Sequence, residues 1–145
     1  MSKYANGEFQ MLNPNKYVGK KRPHYRSSWE HAVMRMCDAN PSILQWANEA
    51  IHINYRNPFT NKNTIYVPDF FVVYIDANNQ QHAELWEIKP QKETSLQEAG
   101  NSKRAQAAAI LNMCKWQAAK AYCESQKLKF RIITENDLFH QGRAK

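Results

Sequence analysis

The sequence has few cysteines and no paired cysteine motif. Its three cysteines are Cys37, Cys114 and Cys123; none forms a CxxC pair, and no histidine is spaced to complete a zinc site. An odd number of isolated cysteines argues against a disulfide framework and favours reduced, mostly buried thiols in a reducing compartment. We therefore expect neither a disulfide-stabilised protein nor a zinc protein.

Long hydrophobic runs are also absent. The first segment, MSKYANGEFQ, lacks the apolar stretch of a signal peptide, and no apolar run approaches the roughly 18 residues of a membrane span. Internal repeats and low-complexity tracts are lacking as well. These absences predict a cytoplasmic protein with no membrane partner.

Negative charge is in short supply relative to positive charge. The chain has 20 Lys and Arg against 13 Asp and Glu, a formal net charge of +7. This balance favours a polyanionic partner, nucleic acid first, although simple solubility explains many basic proteins. With 145 residues, of which 43% are hydrophobic, the chain is long enough for one globular domain.

Residues 1–26 are polar and basic, and they predict an N-terminal arm with little structure of its own. The segment contains glycines, prolines and the basic cluster KKRPHYR at 20–26. That cluster either contacts phosphates or forms a solvated tail. We expect the ordered domain to occupy residues 27–140 and a short tail to follow at 141–145.

The remaining pattern predicts a mixed α/β fold in the order α-β-β-β-β-α-β. The expected elements are a helix at 27–42 capped by Ser27, two short strands within 42–59, a strand at 64–75, its hairpin partner at 82–89, a polar loop at 90–103, an Ala-rich helix at 104–127, a strand at 129–134 and a closing helical turn at 135–141. The expected buried face of the long helix consists of Ile110, Leu111, Cys114, Ala118, Ala121 and Tyr122.

The strand expected at 82–89 has two charged residues on one face. Alternation along a strand puts Glu87 and Lys89 on the side opposite Glu84 and Trp86. Antiparallel pairing across the hairpin brings Asp69 near this charged pair. Glu84 is excluded from the group because it points to the other face.

Two carboxylates held close together repel each other and raise a pKa unless a cation binds them. Magnesium prefers such oxygen ligands, with waters and a substrate phosphate completing its shell. A neighbouring Lys89 would orient or help to deprotonate an attacking water, or would hold a phosphate oxygen. These are the parts that phosphodiester hydrolysis requires.

The pattern Pro68-Asp69…Glu87-Ile88-Lys89 resembles the PD-(D/E)XK nuclease superfamily. The flanking segments, YRSSWE before the sheet and CKWQAAKAYCESQKLKFRIITE after the hairpin, are similar to the TnsA endonucleases of heteromeric transposons and to the small head-completion nucleases of T-even-type phages. The similarity extends from about Tyr25 to Leu138, and the chain length favours the phage group. It implies a restriction-endonuclease-like mixed sheet flanked by helices.

The resemblance also implies roles for individual residues. Asp69 and Glu87 would be metal ligands, the backbone carbonyl of Ile88 would be a third, and Lys89 would be the catalytic lysine. Glu30 would reach the site from the first helix as a catalytic acid and a further candidate ligand. The implied cofactor is Mg²⁺, with Mn²⁺ as a substitute.

Structural explanations compete with these roles. Ser27-x-x-Glu30 also matches a capping box, in which Glu30 satisfies a backbone N–H at the helix start. Glu87 and Lys89 also fit an exposed ion pair on an edge strand, which would stabilise little. Glu49 is either structural or close enough to approach the metal.

The candidate phosphate contacts are basic residues of the arm and of the long helix, although most helix lysines are only solvated. They are Lys20, Lys21, Arg22, Arg26, Lys103, Arg104, Lys115 and Lys120. Gln117 is a candidate for the edge of the site, and His31 is a candidate substrate contact. The four tryptophans, Trp29, Trp46, Trp86 and Trp116, are expected in the core rather than as platforms for stacking bases.

Together these features predict a Mg²⁺-dependent DNA endonuclease. The resemblance suggests action on the DNA end in a newly filled phage head, in the host cytoplasm or on the virion, with head or portal proteins as partners. One alternative is a non-catalytic DNA-end binder or head plug. Another is a junction resolvase or transposon-end nuclease, and resolvases usually work as dimers.

Overall fold

The structure is a computed structural model that describes residues 6–140. In chain order its elements are β1 (Gly7–Glu8), β2 (His24–Tyr25), α1 (Ser28–Ala39), β3 (Ile43–Asn48), β4 (Ile53–Arg56), β5 (Asn63–Tyr66), β6 (Phe70–Ile75), β7 (Gln81–Ile88), α2 (Leu96–Ala99), α3 (Lys103–Gln126), β8 (Lys129–Ile133) and α4 (Glu135–His140), with 3-10 turns at Pro14–Lys16 and Gln91–Glu93. None of the helices within these residues combines the length and apolarity needed to cross a membrane. The predicted tail at 141–145 and the first five residues of the predicted arm lie outside the described residues.

The main sheet has four strands in the order β3-β6-β7-β8. The pairs β3–β6 and β6–β7 are antiparallel, whereas β7–β8 is parallel. A parallel neighbour needs a long crossover, and the long helix α3 supplies it. The mixed sheet flanked by helices confirms the predicted fold class, which is consistent with a restriction-endonuclease-like fold.

Helices α1 and α3 cover opposite faces of this sheet. On one face, Val33 and Met34 of α1 share a buried cluster with Trp86 and Ile88 of β7. On the other face, Trp116 and Ala119 of α3 belong to a second cluster that contains Leu85. Because successive strand residues alternate in direction, this arrangement puts Glu87 on the α3 side and Glu84 on the α1 side.

The single strand predicted at 64–75 is wrong, because the structure has two strands there, β5 and β6. The break falls at Val67-Pro68-Asp69, where proline has no N–H to donate to a sheet ladder. Strand β5 instead pairs with β4 in a separate hairpin, with Ile53 opposite Tyr66. The break leaves Asp69 at the end of the main sheet, immediately before β6.

The buried face predicted for the long helix is only partly correct, since Ala118 and Tyr122 pack against the core cluster as predicted but are not fully buried. The residues of α3 that are buried are Ala109, Asn112, Trp116, Ala119 and Cys123. Ala121, which was assigned to the buried face, is exposed, and Leu111 is only half-buried. Alanines lie all around this helix, so hydrophobic spacing does not select one face, and the large Trp116 ring decides which side packs on the sheet.

The polar loop predicted at 90–103 contains regular structure. It forms the 3-10 turn Gln91–Glu93 and the short helix α2, which is capped by the Ser95 side chain. Asn112 of α3 donates a hydrogen bond from Nδ2 to the Glu93 carbonyl at 3.3 Å. The Glu135 carboxylate accepts a bond from Gln91 N at 2.7 Å, so both ends of the turn are held.

The described part of the N-terminal segment, residues 6–26, has more structure than the expected arm. Phe9 is only 7% exposed and belongs to the core cluster under α1. The buried Asp38 carboxylate accepts bonds from Leu12 N and Asn13 N at 3.0 and 2.9 Å. The polar composition concealed this packing because one aromatic ring and one distant carboxylate anchor the segment.

Candidate active site

Asp69 is held at the end of the main sheet by its own backbone and by its side chain. Its carbonyl accepts bonds from Glu49 N at 2.9 Å and from Asn48 Nδ2 at 3.1 Å. Its carboxylate Oδ2 accepts the N–H of Ile88 at 2.8 Å. Burial raises the pKa of Asp69 well above its usual value, and the nearby charges of Glu87 and Glu30 raise it further.

Glu87 lies on β7 beside Asp69, in a largely enclosed position. The residue is 6% exposed, and its Oε1 accepts the Tyr66 hydroxyl at 2.8 Å. Burial raises the pKa of Glu87, while the bond from Tyr66 and the charges of Lys89 and Lys115 oppose that rise. The structure therefore brings two carboxylates together at a place where both are costly to ionise.

Glu30 enters the same region from the first turn of α1. Ser27 accepts the N–H of Glu30 at 3.1 Å, and the Glu30 carboxylate accepts the N–H of Arg26 at 3.2 Å. The capping interaction is therefore present. Burial raises the pKa of Glu30, and its charge in turn acts on the pKa of Asp69. Ser27 therefore caps the helix, while the Glu30 carboxylate bonds to the residue before the cap and acts electrostatically on Asp69.

Two lysines supply the positive charge of the site. Lys89 Nζ lies 3.9 Å from Glu87 Oε2 and 4.0 Å from Glu93 Oε1. Lys115 reaches in from α3, with its Nζ 5.8 Å from the centre of the Tyr66 ring. Burial and the positive charge of Lys89 lower the pKa of Lys115, against the opposing effect of Glu87. Of the predicted phosphate contacts, Lys115 is the one that the structure brings to the carboxylates.

An open cleft of about 640 Å³ adjoins Glu30 and Lys89. Its walls come from the start of α1, including Trp29, and from the segment that follows β7, including Glu93. Glu30 is the one of the three carboxylates that lines the cleft, so solvent and a bulky ligand approach the site from the Glu30 side. The cleft is lined by both acidic and basic side chains.

The donor set suits a hard cation completed by solvent and substrate. Within residues 6–140, no three His, Cys, Asp or Glu side chains are grouped closely enough to hold a metal ion by themselves. Asp69, Glu87 and the carbonyl of Ile88 offer only oxygen atoms, and no described residue donates a hydrogen bond to the second Asp69 carboxylate oxygen. Mg²⁺ binds through one or two carboxylates while keeping waters, so these residues fit it.

The other predicted basic contacts do not reach Asp69 or Glu87, although the backbone N–H of Arg26 bonds to Glu30. Lys21 and Arg26 both pair with Glu49 Oε1, at 2.9 and 3.2 Å, and Arg22 pairs with Glu8 at 3.3 Å. Glu49 is therefore held in ion pairs with two bases, and the hydrogen bonds and charges of these bases lower its pKa. The remaining candidates, Lys20, Lys103, Arg104 and Lys120, are exposed.

Other residues considered from the sequence have structural surroundings. Glu84 is buried on the α1 side and accepts bonds from Tyr74 and Trp86, so it points to the face opposite Glu87, as predicted. His31 packs against the rings of Phe9 and Tyr25. Gln117 borders a separate groove beside the β4–β5 hairpin. Trp46, Trp86 and Trp116 are buried as predicted, while Trp29 is half-buried against the core.

Sequence reasoning missed Tyr66 and Glu93. Tyr66 was read as one residue of a continuous strand, and nothing in its spacing indicates a bond to Glu87. The useful signal was Pro68, because a strand break there allows β5 to leave the sheet and turn Tyr66 back toward β7. Glu93 lies in the segment that the sequence predicts to be a polar loop.

Comparison with known proteins agrees with this geometry. The family model described as the TnsA-like endonuclease N-terminal domain matches residues 40–135, a range that contains Asp69, Glu87 and Lys89. The head completion nuclease of Enterobacteria phage T4 is 32% identical over 143 residues, covering 92% of this chain and 93% of that protein. The chain therefore belongs to the TnsA-like endonuclease family, as the resemblance to PD-(D/E)XK nucleases predicted.

Proposed function

We propose that this protein is a Mg²⁺-dependent DNA endonuclease that hydrolyses phosphodiester bonds at the site formed by Asp69, Glu87 and Lys89. The observation that carries the proposal is the carboxylate pair Asp69 and Glu87 at the end of the main sheet, with Lys89 Nζ 3.9 Å from Glu87 Oε2; burial raises the pKa of both acids. Such a pair is unfavourable by itself and becomes favourable when a cation binds. Mn²⁺ is expected to replace Mg²⁺.

In this proposal, Asp69, Glu87 and the Ile88 carbonyl hold the cation, and Glu30 supports it directly or through water. A divalent ion bound there would polarise the scissile phosphate and lower the pKa of a water molecule. Lys89 places its ammonium group where it can orient the attacking water or hold a phosphate oxygen. The water oxygen forms the new bond to phosphorus, and the ester oxygen on the opposite side leaves.

The substrate is proposed to be DNA held mainly through its backbone. The net charge of +7 favours phosphate contacts, which carry most of the affinity of such proteins. Lys115 is the proposed contact nearest the scissile bond. The other candidates, exposed or paired, would act further along the strand.

The biological role is proposed from the phage relative. Its name, head completion nuclease, suggests that this chain trims or cuts DNA at the end of a newly filled head. Its setting would then be the host-cell cytoplasm or the virion head, with head or portal proteins as partners. A transposon-end or junction-cutting role uses the same chemistry, and substrate choice would distinguish it.

The test is nicking of supercoiled plasmid with Mg²⁺, Mn²⁺ or EDTA, using wild type, Asp69→Ala and Lys89→Ala. We expect metal-dependent nicking by wild type and a loss of at least about 100-fold in both variants, because each removes a charge that acts in the transition state. Lys92→Ala is the matched control, since exposed Lys92 lines the same cleft and carries the same charge.

A second set of outcomes would contradict the proposal. If wild type fails to nick with any metal while all variants bind DNA tightly and in a salt-sensitive way, the protein is a structural DNA-end binder. Nicking that survives in Asp69→Ala would mean that the chemistry lies elsewhere. Circular dichroism of each variant separates these results from unfolding.

A further inference from the structure

The β4–β5 hairpin touches the active site through one side chain. Tyr66 is the last residue of β5, and its hydroxyl donates to Glu87 Oε1 at 2.8 Å. The hairpin lies outside the main sheet and packs on α3. This contact is therefore a direct link between an accessory element and the carboxylate pair.

The Tyr66 ring is fixed in place by its neighbours. Tyr66 is 5% exposed and shares a buried cluster with Ile53, Leu85 and Trp116. Burial in this cluster opposes rotation of the ring away from Glu87, because a close-packed cluster resists displacement. The packed ring therefore holds the Tyr66 hydroxyl in a fixed position beside Glu87.

The two oxygens of the Glu87 carboxylate have different partners. Oε1 accepts the Tyr66 hydroxyl, whereas Oε2 lies 3.9 Å from Lys89 Nζ. The Tyr66 bond therefore fixes the rotation of the carboxylate and leaves Oε2 on the side of Lys89. Groups that hydrogen-bond to metal-ligating carboxylates orient them, and their loss typically weakens metal affinity by about 10–100-fold.

We propose that Tyr66 is a positioning residue of the active site, which holds Glu87 so that Oε2 is the oxygen offered to the divalent ion. This inference rests on the proposed function, because it takes Glu87 as a metal ligand. It adds a residue that is outside the Asp69, Glu87 and Lys89 pattern. It also makes the β4–β5 hairpin a functional part of the fold.

The experiment measures Mn²⁺ binding directly, by the loss of the electron paramagnetic resonance signal of free Mn²⁺. We expect Tyr66→Phe to weaken Mn²⁺ binding by about 10-fold or more, because the ring and its packing remain while the bond to Glu87 is lost. Tyr55→Phe is the matched control. Tyr55 lies on the paired strand with Lys115 Nζ 6.0 Å from its ring, and no described residue is hydrogen-bonded to its hydroxyl.

Plasmid nicking over a range of Mn²⁺ concentrations gives the second readout. A positioning role predicts that Tyr66→Phe raises the half-saturating Mn²⁺ concentration by about 10-fold, while nicking at saturating Mn²⁺ stays within about threefold of wild type. A merely structural role predicts an unchanged half-saturation point. Circular dichroism and melting in EDTA check that Tyr66→Phe and Tyr55→Phe are folded.

The outcomes separate this inference from the proposed function. Equal Mn²⁺ affinity of Tyr66→Phe and wild type overturns the role of Tyr66 alone. Absence of Mn²⁺ binding by wild type overturns the metal site and the role of Tyr66 with it. Wild type that binds Mn²⁺ but does not nick DNA contradicts the endonuclease, and the Tyr66→Phe comparison of affinity still decides the positioning role.

Discussion

At the scale of single residues, the proposed active site is a group of like charges that the fold holds close together despite their repulsion. Glu87 is buried and Asp69 is half-buried beside it, and Glu30 adds a third negative charge. Lys89 and Lys115 compensate for only part of this repulsion. A site organised for a cation is expected to be less stable without one, as in other proteins that trade stability for function.

Asp69→Asn should therefore stabilise the protein in EDTA while it abolishes nicking. An uncharged amide removes the repulsion with Glu87 and can still accept the bond from Ile88 N. We expect a gain on the order of 1–3 kcal/mol in the free energy of unfolding at pH 7. Urea unfolding in EDTA measures it, and a loss of stability would contradict the assigned repulsion.

The same variant gives a pH dependence with a defined sign. The pKa of Asp69 is higher in the folded protein than its ordinary value of 3.8, so the folded state binds more protons above that pH. Stability contributed by this group is therefore lost as the pH rises from about 4 toward the folded pKa. We expect the advantage of Asp69→Asn to be small near pH 3.5 and to grow by pH 7.

At the scale of elements, the first turn of α1 combines capping with a place in the site. Ser27→Ala removes the bond to Glu30 N and should cost about 1 kcal/mol, with nicking at saturating metal within about threefold of wild type. Glu30→Gln keeps that cap but removes the charge near Asp69, and it should lower nicking by about 10-fold or more. Unfolding and nicking of both variants, measured side by side, separate the two roles.

A contrary pattern would reassign Glu30. If Glu30→Gln nicks as fast as wild type, its carboxylate serves only the helix start through Arg26 N. If Ser27→Ala and Glu30→Gln lose nicking equally, the cap rather than the charge places the residue.

The N-terminal segment is a second element whose role can be measured. Phe9→Ala should lower the free energy of unfolding by about 3–5 kcal/mol, because the ring is buried in the core under α1. Leu12→Ala is the control three residues away, since Leu12 is 85% exposed. Urea denaturation measures the free energy of unfolding of both variants. Equal, small losses would indicate that the N-terminal segment is an arm that does not contribute to the core.

At the scale of the whole molecule, some of the basic side chains are already engaged in ion pairs within the protein. Lys21 and Arg26 share the Glu49 carboxylate, so they are not free to contact phosphates in this conformation. The other predicted contacts that are exposed lie on α3 and in the N-terminal segment, and further exposed bases, such as Arg35 and Lys129, lie elsewhere on the surface. DNA affinity should consequently depend on salt and on how readily Glu49 releases its partners.

Glu49→Gln should strengthen DNA binding and steepen its salt dependence. If both released bases contact phosphates, the slope of log K against log salt becomes more negative by up to about 2, since each contact contributes about 0.9. Fluorescence anisotropy with a duplex in EDTA, from 50 to 200 mM salt, measures the slope. Glu124→Gln is the control: it makes the same charge change on exposed α3, where no described base pairs with that carboxylate. Equal slopes for both variants would show that the released bases do not reach DNA.

The sequence by itself determined the candidate site residues on the central hairpin and the type of sheet. Alternation along a strand is local, so it placed Glu87 and Lys89 on one face and excluded Glu84 without any knowledge of the fold. The hairpin turn between β6 and β7 then fixed which residues face each other, which is why Asp69 was expected beside Glu87. Helix α1 and its Ser27 cap were readable for the same local reason.

Only the tertiary structure decided which distant groups complete the site. The side of α3 that packs on the sheet depended on where Trp116 fits, because alanine offers no preferred face. That choice brought Lys115 to Glu87, and the break at Pro68 brought Tyr66 there from a separate hairpin. The folding of residues 6–26 onto α1 likewise depended on a pocket for Phe9 that other elements build. Local spacing records the direction of a side chain, whereas its partner depends on how whole elements pack.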